Sequence, residues 1–346
     1  MDKNTTKKEY LSVASVVSMI AVVFLHVNQC FWTYSSERYW KTANIIDALF
    51  YYAVPVFFMI SGATLLDYYD RYDTKTFFAR RVHKTVIPFL IWNTVGAAYA
   101  LILGGVKLNA EFILNFPRDI ITYKYVPVYW FFIPLFSVYL CMPLVAAIPK
   151  DRKLKLFTYA ISISFVINYL LPFVCKFERF AYLPNVLSFD CGQGYIIYIL
   201  LGYVISKIEL KTIHRIVLYS FSIGAFLLHL FGTYIYSVNA GEVSKFFKGY
   251  TALPALIYSV GIFVFIKQVS QKNNIKPIRK LIEILDKYTF SVYLLHWFVI
   301  DFIVRLFNLP IRSIVYRLCM PFVVICICCF VTYVLRKTKL FRIMLP

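Results

Sequence analysis

The chain consists of long unbroken apolar runs separated by short stretches rich in Lys and Arg. Most of the runs are close to the ~20 residues that a helix needs to cross the hydrocarbon core of a bilayer. Inside lipid every backbone N–H and C=O must be satisfied within the protein, which leaves helices or closed barrels. Barrel strands would show segments of about ten residues with alternating polarity. These runs do not alternate, so helices are expected. Composition agrees: 60% of the 346 residues are hydrophobic and 16% are charged, against roughly 25% charged in soluble domains. The expected fold is an all-α polytopic transmembrane bundle of about ten spanning helices, forming one domain over residues 1–346.

The runs are Leu11–Phe31, Asn44–Leu66, Val86–Leu103, Val128–Ile148, Leu156–Val174, Gly192–Ser206, Ile216–Tyr236, Tyr250–Ile266, Thr289–Phe307 and Ser313–Leu335, the sixth being the shortest. The first follows a short basic stretch with no small-residue cleavage site behind it. It therefore reads as a retained span rather than a signal peptide. The net charge of +20 raises nucleic-acid binding as a class. The basic residues, however, cluster between the spans, as they do in cytoplasmic loops, so no nucleic-acid partner is expected. With the N-terminus inside, cytoplasmic segments hold 25 Lys and Arg, Lys272 among them, and external segments hold 10, including Arg179. Arg305 and Arg317 fall within spans. The bias has the same sign at each pair of loops, which predicts that both termini are cytoplasmic.

Two connections stand out. Gly105 to Pro127 is the longest external segment. On the other side Ile278, Leu281, Ile282 and Leu285 recur at helical spacing among Arg279, Lys280 and Lys287, the pattern of a short helix lying on the membrane surface. Of the eight cysteines, Cys319, Cys326, Cys328 and Cys329 lie in the last run, where Cys is a small hydrophobe. Cys326 and Cys329 have CxxC spacing without a second pair or a nearby His, so no metal site is expected. Cys175 and Cys191 flank an external loop, and a disulfide between them requires Cα atoms within bonding reach.

His26 lies about 15 residues into the first span, or roughly 22 Å along a helix rising 1.5 Å per residue. An ionisable residue at that depth is a functional candidate. Its near-neutral imidazole suits general-base work on a hydroxyl; a structural hydrogen bond between helices is the competing reading. Ser15 lies eleven residues earlier, almost a whole number of turns, so Ser15, Val22 and His26 share one stripe. Asp47, at comparable depth in the second span, could orient the imidazole or simply mark an interface. In the ninth span His296 and Asp301 are buried, and Asp301 and Arg305 are spaced to pair at i, i+4. His229 has no companion on its helix and reads as structural. Arg80, Arg81, His83 and Lys84 precede the third span. Such a cluster suits an anionic headgroup or the phosphates of a nucleotide cofactor, and ordinary positive-inside anchoring is the alternative.

Several stretches, in this order, resemble one family. They are Tyr10-Leu11-Ser12-Val13 leading to Val22-Val23-Phe24-Leu25-His26, and Pro55-Val56-Phe57-Phe58-Met59-Ile60-Ser61-Gly62. Arg81-Val82-His83-Lys84 follows, with Ile87-Pro88-Phe89-Leu90-Ile91-Trp92. Tyr129-Trp130-Phe131 with Leu140-Cys141-Met142-Pro143-Leu144, and Ser291-Val292-Tyr293-Leu294-Leu295-His296, complete the set. Together they resemble the acyltransferase type 3 family of bacterial integral membrane O-acyltransferases. The resemblance implies transfer of an acyl group, usually acetyl from acetyl-CoA, to a sugar hydroxyl of an envelope glycan or its lipid-linked precursor in the plasma membrane. It makes His26 catalytic, and Asp47 stays the candidate orienter that its depth suggests. It assigns Arg80, Arg81, Lys84 and the Ser15 position to the donor. The family pattern places Arg where Ser15 stands, and a second Arg where Lys84 stands.

The expected partners are therefore acyl-CoA, a glycan or lipid-linked sugar, and membrane lipid. His26 would act as base or carry the acyl group covalently. The rival class is a transporter or flippase of a lipid-linked glycan, since buried His and Asp also form proton relays. The chain shows neither an inverted repeat nor paired broken helices of the usual transporter kind.

Overall fold

The computed structural model describes residues 3–177, 187–271 and 276–345; Arg179 and Lys272 lie outside the described residues. Among these the regular structure is helical throughout, with no strand. Nine helical segments of the described residues are long and apolar enough to cross a membrane. The expected bundle is therefore present. The sixth run, Gly192–Ser206, is the exception, because it forms a helix only over Ile196–Lys207. Twelve residues at 1.5 Å each make about 18 Å, short of the roughly 30 Å hydrocarbon core. Most of its side chains are buried in protein, so it has no need to match the bilayer.

In chain order the helices begin with α1 (Lys3–Val27), α2 (Arg38–Phe50), α3 (Ala53–Leu65), α4 (Thr74–Arg81), α5 (Ile87–Ile102) and α6 (Ala110–Ile121). They continue with α7 (Phe132–Ala146), α8 (Lys150–Ser164), α9 (Leu171–Cys175), α10 (Ile196–Lys207) and α11 (Thr212–Ala240). The last are α12 (Leu253–Gln271), α13 (Arg279–Asp286), α14 (Thr289–Phe307), α15 (Ile314–Leu335) and α16 (Lys339–Met344). The helix α1 is central, packing against α2, α3, α12, α13, α14 and α15.

Local chemistry explains several boundaries. The second run is not one helix. It is interrupted at Tyr51 and Tyr52, where Pro55 has no N–H to offer the Tyr51 carbonyl. Asp73 caps α4 by accepting a hydrogen bond from the Thr76 N–H at 3.0 Å. Asn109 caps α6 in the same way, from the Phe112 N–H at 2.8 Å, so the long external segment carries a helix of its own. The surface helix expected around Ile282 is α13, with Ile282 buried and Ile278, Leu281 and Ile284 exposed. The closest packing joins α3 to α10. A Cβ on Gly62 would overlap the Ile199 backbone, and one on Gly202 the Met59 backbone, the close approach that small residues allow between membrane helices.

Cys175 and Cys191 are both free, Cys175 buried and Cys191 exposed. The Asn168 amide donates to the Phe189 carbonyl at 2.7 Å and the Ser164 hydroxyl to the Gly192 carbonyl at 2.7 Å. These bonds seat Cys191 about two to three helical turns before Cys175. The expected pair of Asp301 and Arg305 is formed, at 2.6 Å.

Contacts sort the loops into two ends. At one, Asp67 meets Lys153 and Lys207, Asp70 meets Lys150, and Arg279 meets Glu9. At the other, Asp47 meets Lys248, Lys176 donates to the Phe246 carbonyl, and Arg317 bonds Asn28, Thr42 and the Tyr39 carbonyl. Successive connections thus fall at opposite ends of the bundle.

Candidate active site

The last turn of α1 opens onto a cavity of about 650 Å³ at the second of these ends. The break after α2 places Tyr51 in its wall, and the turn Pro127–Phe131 supplies Trp130. Tyr250 comes from the connection before α12, and Tyr293 and Trp297 come from α14. Tyr51 and Tyr250 stack at 4.4 Å, and Trp130 stacks on Tyr250 at 5.4 Å. The wall is held in place by hydrogen bonds between its parts. The Tyr293 hydroxyl donates to the Val128 carbonyl at 2.9 Å, and the Tyr129 hydroxyl to the Leu294 carbonyl at 2.6 Å.

His26 is half-buried and borders this cavity. It also borders a second, smaller cavity of about 120 Å³ that reaches Asp301 and Tyr316. Its ring lies against that of His296, with centroids 4.9 Å apart. Two residues on, Asn28 donates to the Ala43 carbonyl at 2.8 Å and accepts from Arg317 at 3.3 Å. The helix end that carries His26 is thus tied to α2 and α15.

Asp47 borders the same cavity, but its partners are not those the sequence suggested. It pairs with Lys248, and the His229 Nε2 stands 4.0 Å from the same carboxylate oxygen. All three are buried. The Lys248 ammonium also sits over the rings of Tyr51 at 4.0 Å, Phe31 at 4.6 Å and Trp32 at 5.2 Å, a cation held by aromatic faces. Burial pushes Lys248 below the usual lysine range, and the Asp47 carboxylate opposes that shift. His229, read from the sequence as solitary, belongs to this cluster. Its companions lie on α2 and in the loop before α12, where no periodicity on its own helix could show them.

The remaining candidates lie off the cavity. Ser15 is half-buried on α1, eleven residues or about 16 Å from His26 along the helix. Arg80, Arg81 and Lys84 are at the opposite end, where α4 passes into α5 through a wider π-helical turn, Val82–Val86. That turn leaves His83 and Lys84 exposed. The Arg80 guanidinium lies over the Tyr72 ring at 4.3 Å, and that of Arg81 lies between Phe77 at 5.8 Å and Tyr139 at 5.7 Å. The Arg81 Nε is buried with no hydrogen-bond partner. Among the described residues no group of three or more His, Cys, Asp or Glu could hold a metal ion.

The arrangement is thus a titratable ring on an aromatic-walled cavity, with a cationic turn at the far end of the same bundle. No curated protein and no solved structure matches the chain. A family model described as an acyltransferase domain, that of acyltransferase type 3, matches residues 9–335, a stretch that takes in both His26 and the cationic turn. By that match over nearly its whole length, the chain belongs to the acyltransferase type 3 family.

Proposed function

We propose that this membrane acyltransferase moves an acyl group, acetyl in the first instance, from acyl-CoA to a sugar hydroxyl. The acceptor in this reading is an envelope polysaccharide or its lipid-linked precursor. The protein would sit in the bacterial plasma membrane with both termini cytoplasmic. The observation that carries the reading is His26 on the 650 Å³ cavity. That volume lies within the range of small-molecule sites, and stacked aromatic faces suit the apolar faces of a sugar ring.

In this mechanism His26 takes the proton of the acceptor hydroxyl as the oxygen attacks the thioester carbonyl. The C–O bond forms, the C–S bond breaks, and the proton passes to the departing thiolate. An acyl group carried on His26 itself is the second route. Asp47, fixed by Lys248, supplies a hydrogen-bond acceptor at the cavity wall. The donor phosphates would meet Arg80, Arg81 and Lys84, with Ser15 at the same side of α1. The partnerless Arg81 Nε–H supports this, because a phosphate oxygen would satisfy it.

The test is mass spectrometry of envelope glycans with and without the gene, together with purified protein assayed with acetyl-CoA. Loss of an acetyl mass is expected. Unchanged acetylation with accumulation of the unflipped precursor would favour the flippase. His26→Ala should lower turnover about 10²–10⁴-fold, the usual worth of a general base, with little change in melting temperature. Activity retained by His26→Ala or His26→Gln would reduce the ring to a structural contact.

A further inference from the structure

We propose that His296 is a positioning residue, whose ring fixes the nitrogen of His26 that faces the cavity as a free base. The inference rests on the reading of His26 given above.

His296 is completely buried on α14. Its Nδ1 lies 2.7 Å from the Tyr293 carbonyl oxygen and 3.1 Å from that of Val292. Carbonyl oxygens only accept, so Nδ1 carries a proton. The Nε2 on the other side of the ring is buried and has no hydrogen-bond partner. In a neutral ring with its proton on Nδ1, Nε2 is a bare acceptor and needs a donor. Leaving such a buried group unsatisfied is unfavourable. The ring of His26 lies alongside, with centroids 4.9 Å apart and planes inclined by 39°.

The two rings touch without a hydrogen bond, and His26 is the half-exposed member of the pair. Rotation of His26 brings one of its nitrogens toward the His296 Nε2. Such bonds are often long before substrate binds and tighten in the complex. Once His26 donates its single N–H to His296, its second nitrogen holds a lone pair and points away from His296, toward the acceptor hydroxyl. The surroundings hold this arrangement. Tyr293, whose carbonyl binds the His296 Nδ1, is tied through its own hydroxyl to Val128 in the cavity wall. Without an acceptor at the His296 Nε2, both tautomers of His26 become populated, and one of them presents an N–H to the hydroxyl that should be deprotonated.

The side chains of Asn and Gln separate the two roles of the His296 ring. Asn reaches the Nδ1 position and keeps the backbone bond, but leaves nothing at Nε2. Gln places an amide oxygen at the Nε2 position. His296→Asn and the volume-keeping His296→Phe should each lower kcat roughly 10–100-fold, the range for outer partners that orient a ligating histidine. The donor KM should be unchanged, and His296→Gln should recover most of the loss. The direct readout is ¹⁵N NMR of histidine-labelled protein, which has only five histidines to assign. In the wild type, His296 should carry a proton on Nδ1 and none on Nε2, and His26 should be one tautomer. Either loss variant should turn His26 into a mixture. A protonated His296 Nε2 in the wild type, or a single His26 tautomer in both loss variants, overturns the proposal. A tautomer change while His26→Ala stays fully active would sink the base reading of His26 and leave the pairing intact.

Discussion

The two ends of the bundle handle charge in opposite ways. At the end that carries the cationic turn, ion pairs sit near the surface. Lys207 meets Asp67 at 2.7 Å with side chains 37% and 22% exposed, and Lys150 meets Asp70 at 2.6 Å. Two lysines there are buried, yet both reach helix C-termini: Lys153 the Leu66 carbonyl, and Lys267 those of Ile205 and Ile208. Carbonyls at a helix end lack internal partners and attract cations, so these lysines act as caps. The His26 end also has exposed pairs, such as Arg312 with Glu37, but it holds a cluster of charged and titratable groups inside. Asp47, Lys248, His229 and Arg317 are all buried, beside a cavity. The first pattern leaves cations free to meet a soluble polyanion. The second holds polar groups in fixed positions around a space that a substrate can enter.

The largest expected effect on stability tests the buried cluster. Lys248→Ala leaves the Asp47 carboxylate buried without its cation, and breaking a buried pair in this way costs about 3–5 kcal/mol. Melting of the purified variant in detergent should fall well below that of the wild type. Removing both charges, as in Lys248→Met with Asp47→Asn, should recover much of the loss, because neither charge is then left alone. If Lys248→Ala melts like the wild type, the cluster is hydrated through the cavity and the contrast between the ends collapses.

Arg81→Ala tests the other end through function. Each lost charge-assisted hydrogen bond to a phosphate is worth about 1.5–3 kcal/mol. The expected outcome is a raised donor KM with turnover nearly unchanged. Melting should fall modestly, because the guanidinium also leaves the faces of Phe77 and Tyr139. An unchanged donor KM would make the segment a topological anchor only.

How much of this was visible in the sequence depended on the length scale of each signal. The spans were legible because a bilayer imposes a run of one polarity on consecutive residues. The i, i+4 pair of Asp301 and Arg305 was legible for the same reason, being local. The break at Tyr51 was not read, although Pro55 was there to mark it. The shortness of α10 was legible in the length of its run, whereas its burial among other helices rather than in lipid was not. His26 stood out by depth alone. Its neighbour His296 was seen as buried, but the contact between the two spans 270 positions of chain. Lys248 looked like any external loop charge, because burial of a loop residue leaves no periodic trace. Asp47 is expected from its depth to orient His26 or to mark an interface, whereas in the structure its carboxylate meets Lys248 and His229, since two residues at equal depth need not face each other.

The smallest effect is expected at Lys207, and it sharpens the comparison most cleanly. Lys207 and Lys248 each pair with one aspartate, and each lies over a tyrosine ring, at 5.1 Å from Tyr203 and 4.0 Å from Tyr51. They differ in burial: the Lys207 side chain is 37% exposed and that of Lys248 is 1% exposed. Water and salt reach the first pair, and exposed pairs contribute about 0–1 kcal/mol. Asp67 also keeps Lys153 at 3.3 Å when Lys207 is removed, so its charge is not stranded. Lys207→Ala should therefore shift melting by a small amount, and that shift should shrink further as ionic strength rises above 0.15 M, where the screening length falls below about 8 Å. The Lys248→Ala effect should be nearly independent of salt, because the ions that screen Lys207 do not reach the buried pair. Equal losses for the two lysines, or equal salt dependence, would mean that both ends are similarly wet and that the buried cluster is no more fixed than the surface pairs opposite it.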